Sequence, residues 1–207
     1  MTKTPSRKGN PRAALGFRAH SGWAAAVVVA PTHSGVQVIE RRRIELGDSS
    51  RLGPVQPYHA AERLPIREAE KIVTACSKRA VEMATQAIKE IEGGVLGAGY
   101  SLVGCGIGLG SGRLPETLAE TLASHPYIHT AEGELFRKAL VSASEACGLA
   151  VRGVKERDLL ECGASELGIS VDALSVRLAE LGRPMGPPWR QDEKYAALAA
   201  WLVLRAA

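Results

Sequence analysis

The sequence predicts an α/β domain built on a mixed sheet, and three observations predict it. Two apolar segments, the second rich in valine, and a third alternating one lie close together near the N-terminus, separated only by turn residues. Two further strand-length apolar runs, Tyr100 to Leu109 and Leu149 to Lys155, stand far apart in the chain. A long segment of helical periodicity precedes each of them. Short turns allow antiparallel neighbours, whereas connections as long as a helix imply parallel pairing through right-handed crossovers. The expected architecture is a three-strand antiparallel meander plus two parallel strands, flanked by helices on both faces.

The elements follow in order. Leu15 to Arg18 and Trp23 to Ala30 are the first two strands, separated by AHSG, and the turn PTHSG leads into the third, VQVIERRRIEL. The segment GPVQPYHAAERL reads as a loop. Pro65 suits the first turn of a helix, where its missing N–H has no intrahelical partner to lose. From there Ile66, Ile72, Val73, Cys76, Ala80, Met83, Ala87, Ile88 and Ile91 recur at helical spacing, and Gly93 and Gly94 are expected to end the helix. Tyr100 to Leu109 is small and apolar on both faces, as a central strand requires. A short helix from Pro115 to Ser124 follows, then a long one from about Ala131, capped by Thr130, to Cys147, with Gly148 as its stop. LAVRGVK is the fifth strand. Helices around Glu156 to Leu167 and Ser170 to Leu181, the loop GRPMGPPWR and a last helix from Gln191 to Arg205 complete the chain.

Of 207 residues, 45% are hydrophobic, enough for one sizeable core. The net charge of +4 sits in residues 1–12, which hold Lys3, Arg7, Lys8 and Arg12 and no acid, so the remaining chain is neutral. The expected organisation is a disordered basic tail, 1–12, and a single domain, 13–207. A neutral body argues against strong non-specific DNA binding, which depends on phosphate neutralisation. The four cysteines form no C-x-x-C pair and sit in apolar surroundings, so free thiols in a reducing compartment are expected and cysteine-held zinc is not. The run WAAAVVVA is too short for a membrane span, which needs about 18 apolar residues, and Arg18 and His20 sit just ahead of it. The expected location is the cytoplasm, without membrane partners.

The opening LGFRAHSGWAAAVV, the span GYSLVGCGI followed by a helix, the strand LAVRGVK and the end QDEKYAALAAWLVL together resemble Holliday-junction resolvases of the RuvC type, over about Leu15 to Leu204. The resemblance implies a ribonuclease H-like fold. It also implies carboxylates at the ends of the first and fourth strands and at the start of the last helix, holding two divalent ions that activate water against a phosphodiester. Here the first-strand position falls at Arg18, the fourth strand ends in IGLGSG without an acid, and only Asp192 or Glu193 stands in a matching place. The implied acidic site is therefore degenerate, and a divalent metal is an open cofactor expectation rather than an inherited one.

Beside that resemblance the residues offer their own candidates. In SHPYIHTAEGELFR, Ser124 to Arg137, helical geometry turns Glu132 toward the sheet with Phe136, Ala139 and Ala143, and Glu134 toward solvent. An acid in a first helical turn is also a common dipole partner, so both readings of Glu132 stay open. His125 and His129 flank PYI and could join Glu132 in a transition-metal site or serve as a general base, although the spacing is no recognised metal signature. His20 and His59 are possible further members, and His33 is expected to be a bystander. The glycines of GCGIGLGSG lack a phosphate-loop pattern; they signal either close helix packing or room for a ligand. Arg113 follows them and could meet an anion. Asp192 either faces the sheet with Ala196, Ala199 and Val203 or caps its helix; Trp189 either stacks a base or closes the core.

The leading expectation is a polar cleft built from Arg18, His20, His59, His129, Glu132, Arg190 and Asp192 that binds or processes nucleic acid or another phosphate-bearing ligand. In it His129, Glu132 and Asp192 are the catalytic candidates, and Arg18, His20, His59, Arg113, Trp189 and Arg190 the binding ones. The alternatives are a non-catalytic binding or assembly module and a metal-dependent hydrolase of small substrates. Convergence of the seven side chains on one cavity supports the single-cleft reading over the second, and scattered side chains sink it.

Overall fold

The computed structural model describes residues 9–47 and 55–207. Strands β1 (Arg12–His20), β2 (Trp23–Thr32) and β3 (Gly35–Glu45) form the meander. Helices α1 (Pro57–Ala61) and α2 (Ile66–Gly97) lead to β4 (Ser101–Leu109); α3 (Leu118–Leu122) and α4 (His125–Ala146) lead to β5 (Val151–Lys155). A 3₁₀ turn, Glu156–Asp158, is followed by α5 (Leu159–Leu167), α6 (Val171–Leu181), a second 3₁₀ turn (Arg183–Met185) and α7 (Gln191–Ala206). The sheet order is β3-β2-β1-β4-β5. The β1/β2 and β2/β3 pairs are antiparallel, and β1/β4 and β4/β5 parallel, as expected.

Each sheet face has its own core. Leu15, Phe17, Cys105 and Ile107 pack with Ile88 and Ile91 of α2 and with Phe136 and Leu140 of α4. On the other face Ala14, Val27 and Val29 pack with Leu198, Ala200 and Leu202 of α7 and with Leu174 and Leu178 of α6. The alternating glycines explain how α7 reaches the sheet. Gly16 and Gly106 are register partners on neighbouring strands. A Cβ on Gly16 would lie 1.9 Å from the Ala196 carbonyl oxygen, and one on Gly106 would lie 2.2 Å from that of Ala199. The bare strand face is therefore helix packing, not ligand space.

Four boundaries depart from expectation. β1 already begins at Arg12, and residues 1–8 of the expected basic tail lie outside the described residues. Pro57 opens a short helix where a loop was expected. α2 passes through Gly93 and Gly94 because Val95, one turn after Ile91, is buried in the same core; Gly99, with φ +84°, stands just past its end. The largest departure is α4, which starts at His125 rather than about Ala131. Pro126 occupies its first turn, and the Thr130 hydroxyl donates to the Pro126 carbonyl at 3.0 Å instead of capping.

The arginines of β3 are engaged within the fold. Arg41 donates to the carbonyls of Gly186 and Pro188 and so ties down the loop before α7, Arg42 pairs with Glu40 and Glu90, and Arg43 pairs with Glu45. None of the four cysteines is in a disulfide. Burial pushes the Cys105 thiol up to about 12, against a smaller opposing effect of its hydrogen bond with Ser144. At pH 8 only about one molecule in ten thousand then carries a thiolate there. Native alkylation at that pH, read by peptide mass spectrometry, should label half-buried Cys76, Cys147 and Cys162 first and Cys105 only on unfolding. None of the described helices is long and apolar enough to cross a membrane.

Candidate functional site

At the carboxyl ends of β1 and β4, on the α7 face, the candidate residues Arg18, His20 and Asp192 meet. Strand alternation places Gly16, Arg18 and His20 on one face, and the contact of Gly16 with α7 identifies that face. Asp192 lies in the first turn of α7, where an acid suits the helix dipole. Its Oδ1 accepts from Arg18 Nη1 at 2.5 Å and from His20 Nε2 at 2.9 Å. The other side of the guanidinium faces Glu156, with Nε 3.5 Å from Oε2, and the Tyr195 ring lies 5.1 Å from its Cζ. Gly108 makes room for Glu156: a Cβ there would lie 2.6 Å from the glutamate Cγ. His20 stacks on Trp23 at 4.3 Å, and Arg43 covers the same indole at 3.9 Å.

This is where the resolvase pattern expects divalent ions, and the residues do not fit them. A hard cation needs several carboxylate or carbonyl oxygens, whereas here two carboxylates flank a guanidinium that already carries the compensating charge. Arg18 is mostly buried, 19% exposed, so its charge is not readily displaced into water.

A second cluster sits on the opposite face, at the start of α4. His125 and His129 lie four residues apart on the first turns of α4, their Nε2 atoms 3.0 Å apart. His59 of α1 joins them with ring centroids 5.4 and 4.8 Å away, and one ring nitrogen from each of the three lies within 4.8 Å of the others. Glu132, one turn along α4, is 1% exposed. Its Oε1 accepts from the backbone N–H groups of Tyr58 and His59, at 2.9 and 3.0 Å, and from His59 Nδ1 at 3.1 Å. Burial pushes the Glu132 carboxyl above the usual range, while these donors pull it back. The same burial, together with the negative charge of Glu132, pushes the Tyr58 phenol up.

The seven side chains expected in one cleft thus divide between two faces, and the single cleft is not formed. Arg18, His20 and Asp192 make one cluster; His59, His129 and Glu132 make the other, with His125 as a full member. Arg190 belongs to neither: it precedes α7, where its backbone N–H donates to the Glu193 carboxylate at 2.7 Å. Trp189 closes the core rather than offering a stacking face, since its ring packs on Gly182 and its Nε1 donates to the Leu178 carbonyl at 2.7 Å. Arg113 is exposed, and none of the described ion pairs includes it. Glu156 was missed in the sequence, although its position directly after β5 is where open α/β sheets gather functional groups. His125 was legible as part of an H-x-x-x-H pair only once Pro126, not Thr130, is taken to open the helix.

No protein-family model and no curated protein matches the chain. Solved structures do. The structure of RuvC from Thermus thermophilus in complex with a Holliday junction substrate matches with a TM-score of 0.53 at 9% identity, covering 94% of this chain and 93% of that one. A second Thermus thermophilus RuvC structure matches with a TM-score of 0.53 at 10% identity, covering 93% of each chain. Together with the five-stranded order β3-β2-β1-β4-β5, these likenesses show that the chain has the ribonuclease H-like fold in its RuvC-like arrangement.

Proposed function

We propose that this protein is a nucleic-acid-binding domain that does not run two-metal phosphodiester cleavage at its strand ends. The observation that carries the reading is Arg18, held between Asp192 and Glu156 where the resolvase pattern calls for cations. A permanently charged guanidinium does the electrostatic work of a metal without supplying a bound water to activate. The polynucleotide part of the proposal is supported by the likeness to RuvC, whose structure was solved in complex with a Holliday junction substrate. It is also supported by the exposed cations at this end of the sheet: Arg113 beyond β4, Lys155 at the end of β5 and Arg190 before α7.

Only these three exposed cations are invoked and residues 13–207 carry no net charge, so the electrostatic component is small. Fluorescence anisotropy with branched, duplex and single-stranded DNA should show binding whose logarithmic salt slope is only about −1 to −3, the release expected for a few phosphate contacts. Incubation of the same complexes with Mg²⁺ or Mn²⁺ should leave the DNA intact. No binding to any of the three at low salt overturns the nucleic-acid reading. Metal-dependent cleavage lost in D192N overturns the assignment of Arg18 as the cation substitute.

A further inference from the structure

We propose that His59, His125 and His129 form a binding site for one divalent transition-metal ion of the zinc class, with Glu132 as the positioning carboxylate behind His59 and the fourth coordination position open to solvent. The site lies across the sheet from Arg18 and Asp192 and does not depend on the nucleic-acid reading.

The donor geometry comes first. In a tetrahedral zinc site with Zn–N of about 2.0–2.1 Å, ligand nitrogens stand roughly 3.3 Å apart. The nitrogens here span from 3.0 Å, between His125 and His129, to at most 4.8 Å across the trio, so a small rotation of His59 closes the set. The 3.0 Å contact also sets two Nε2 atoms against each other. Two neutral rings with lone pairs on those atoms repel each other, unless one proton is shared or a cation accepts from both.

The support behind the donors is the second observation. His59 Nδ1 donates to Glu132, which leaves Nε2 as its free lone pair, and Glu132 is itself fixed by two backbone N–H groups and by burial. A carboxylate behind a ligating histidine sets both the tautomer and the ring direction, and this is the usual arrangement at zinc. A buried glutamate that spends one oxygen on α1 while its second, Oε2, finds no hydrogen-bond partner among the described residues is costly for stability alone. Pinning His59 accounts for that cost.

The donors also select the ion. Three imidazole nitrogens and no carboxylate ligand suit Zn²⁺, Cu²⁺, Ni²⁺ or Co²⁺ and disfavour Mg²⁺ and Ca²⁺. His125 and His129 are exposed and His59 is half-buried, so an ion reaches the site directly and one coordination position stays accessible, as in three-histidine sites that activate water.

The test uses the full chain, stripped with chelator and titrated with Co²⁺, then with Zn²⁺ in competition. The expected result is one Co²⁺ per chain, with the intense visible absorption of four-coordinate cobalt, displaced by one equivalent of Zn²⁺. E132Q should weaken binding about 10- to 100-fold, and H125A and H129A, both at exposed positions, each by more than E132Q because they remove a ligand outright; H33A should change nothing. Circular dichroism of each variant separates lost ligation from lost fold. Absence of the cobalt bands overturns the proposal. So does an affinity equal in wild type, H59A and E132Q, which reduces the site to a surface pair of histidines on one helix.

Discussion

Gly16→Ala should cost about 3 kcal/mol or more, the upper end of what overpacking a core produces. The added Cβ would lie 1.9 Å from the Ala196 carbonyl oxygen and 2.7 Å from the Ala200 nitrogen. Both are backbone atoms of α7, so no side-chain rotation relieves the clash. The helix must lift, and with it the packing of Leu198, Ala200 and Leu202 on the second face. In the unfolded chain the same change is favourable by a few tenths to about 1 kcal/mol, because alanine has less freedom to lose. The sign is decided by the contact. Gly93→Ala supplies the opposite control: it lies in the interior of α2 with nothing within 4 Å of the added methyl, and should stabilise by about 0.8–1 kcal/mol. Urea midpoints of the two variants should move in opposite directions; a neutral Gly16→Ala would show that α7 does not sit this close to β1.

Arg18→Met should cost about 2–3 kcal/mol. Removing one partner of a fully buried ion pair typically costs about 3–5 kcal/mol, because the remaining charge is left uncompensated. The value is reduced here because Asp192 and Glu156 keep 24% of their side-chain surface in water. Loss of the guanidinium leaves the Asp192 and Glu156 carboxylates without it, Asp192 keeping its contact with His20. The second consequence bears on function. Mg²⁺ or Mn²⁺ should raise the urea midpoint of Arg18→Met and, more strongly, of Arg18→Asp, which sets a third carboxylate at the same place, while wild type should not respond. Equal responses in all three proteins would show that Arg18 does not stand in for a cation.

Much of the fold was legible because its signals are local. Apolar runs bounded by AHSG and PTHSG mark the meander, and helix-length crossovers force the parallel pairs. Periodicity alone placed Glu132 inward, and the buried carboxylate of α4 bears that out. Where local signals were misread, tertiary contacts had overruled them. Gly93 and Gly94 read as a helix stop, yet burial of Val95 carries α2 beyond them. Thr130 read as a cap, but Pro126 opens α4 earlier and brings His125 and His129 onto one helix.

The mixed-sheet α/β class, the neutral body, the lack of the resolvase acids at Arg18 and in IGLGSG, and the inward face of Glu132 were all legible in the chain alone. Each of these depends on composition or on spacing within one element. Which candidates meet is settled by packing between elements far apart in the chain. Arg18 and Asp192 are separated by 174 residues, and His59 and Glu132 by 73. No periodicity spans such distances; the partners are chosen when α7 settles on the glycine face and α1 docks against α4. That docking sent the polar residues to two faces of the sheet, where one cluster balances its own charge and the other gathers three imidazoles within 4.8 Å of one another.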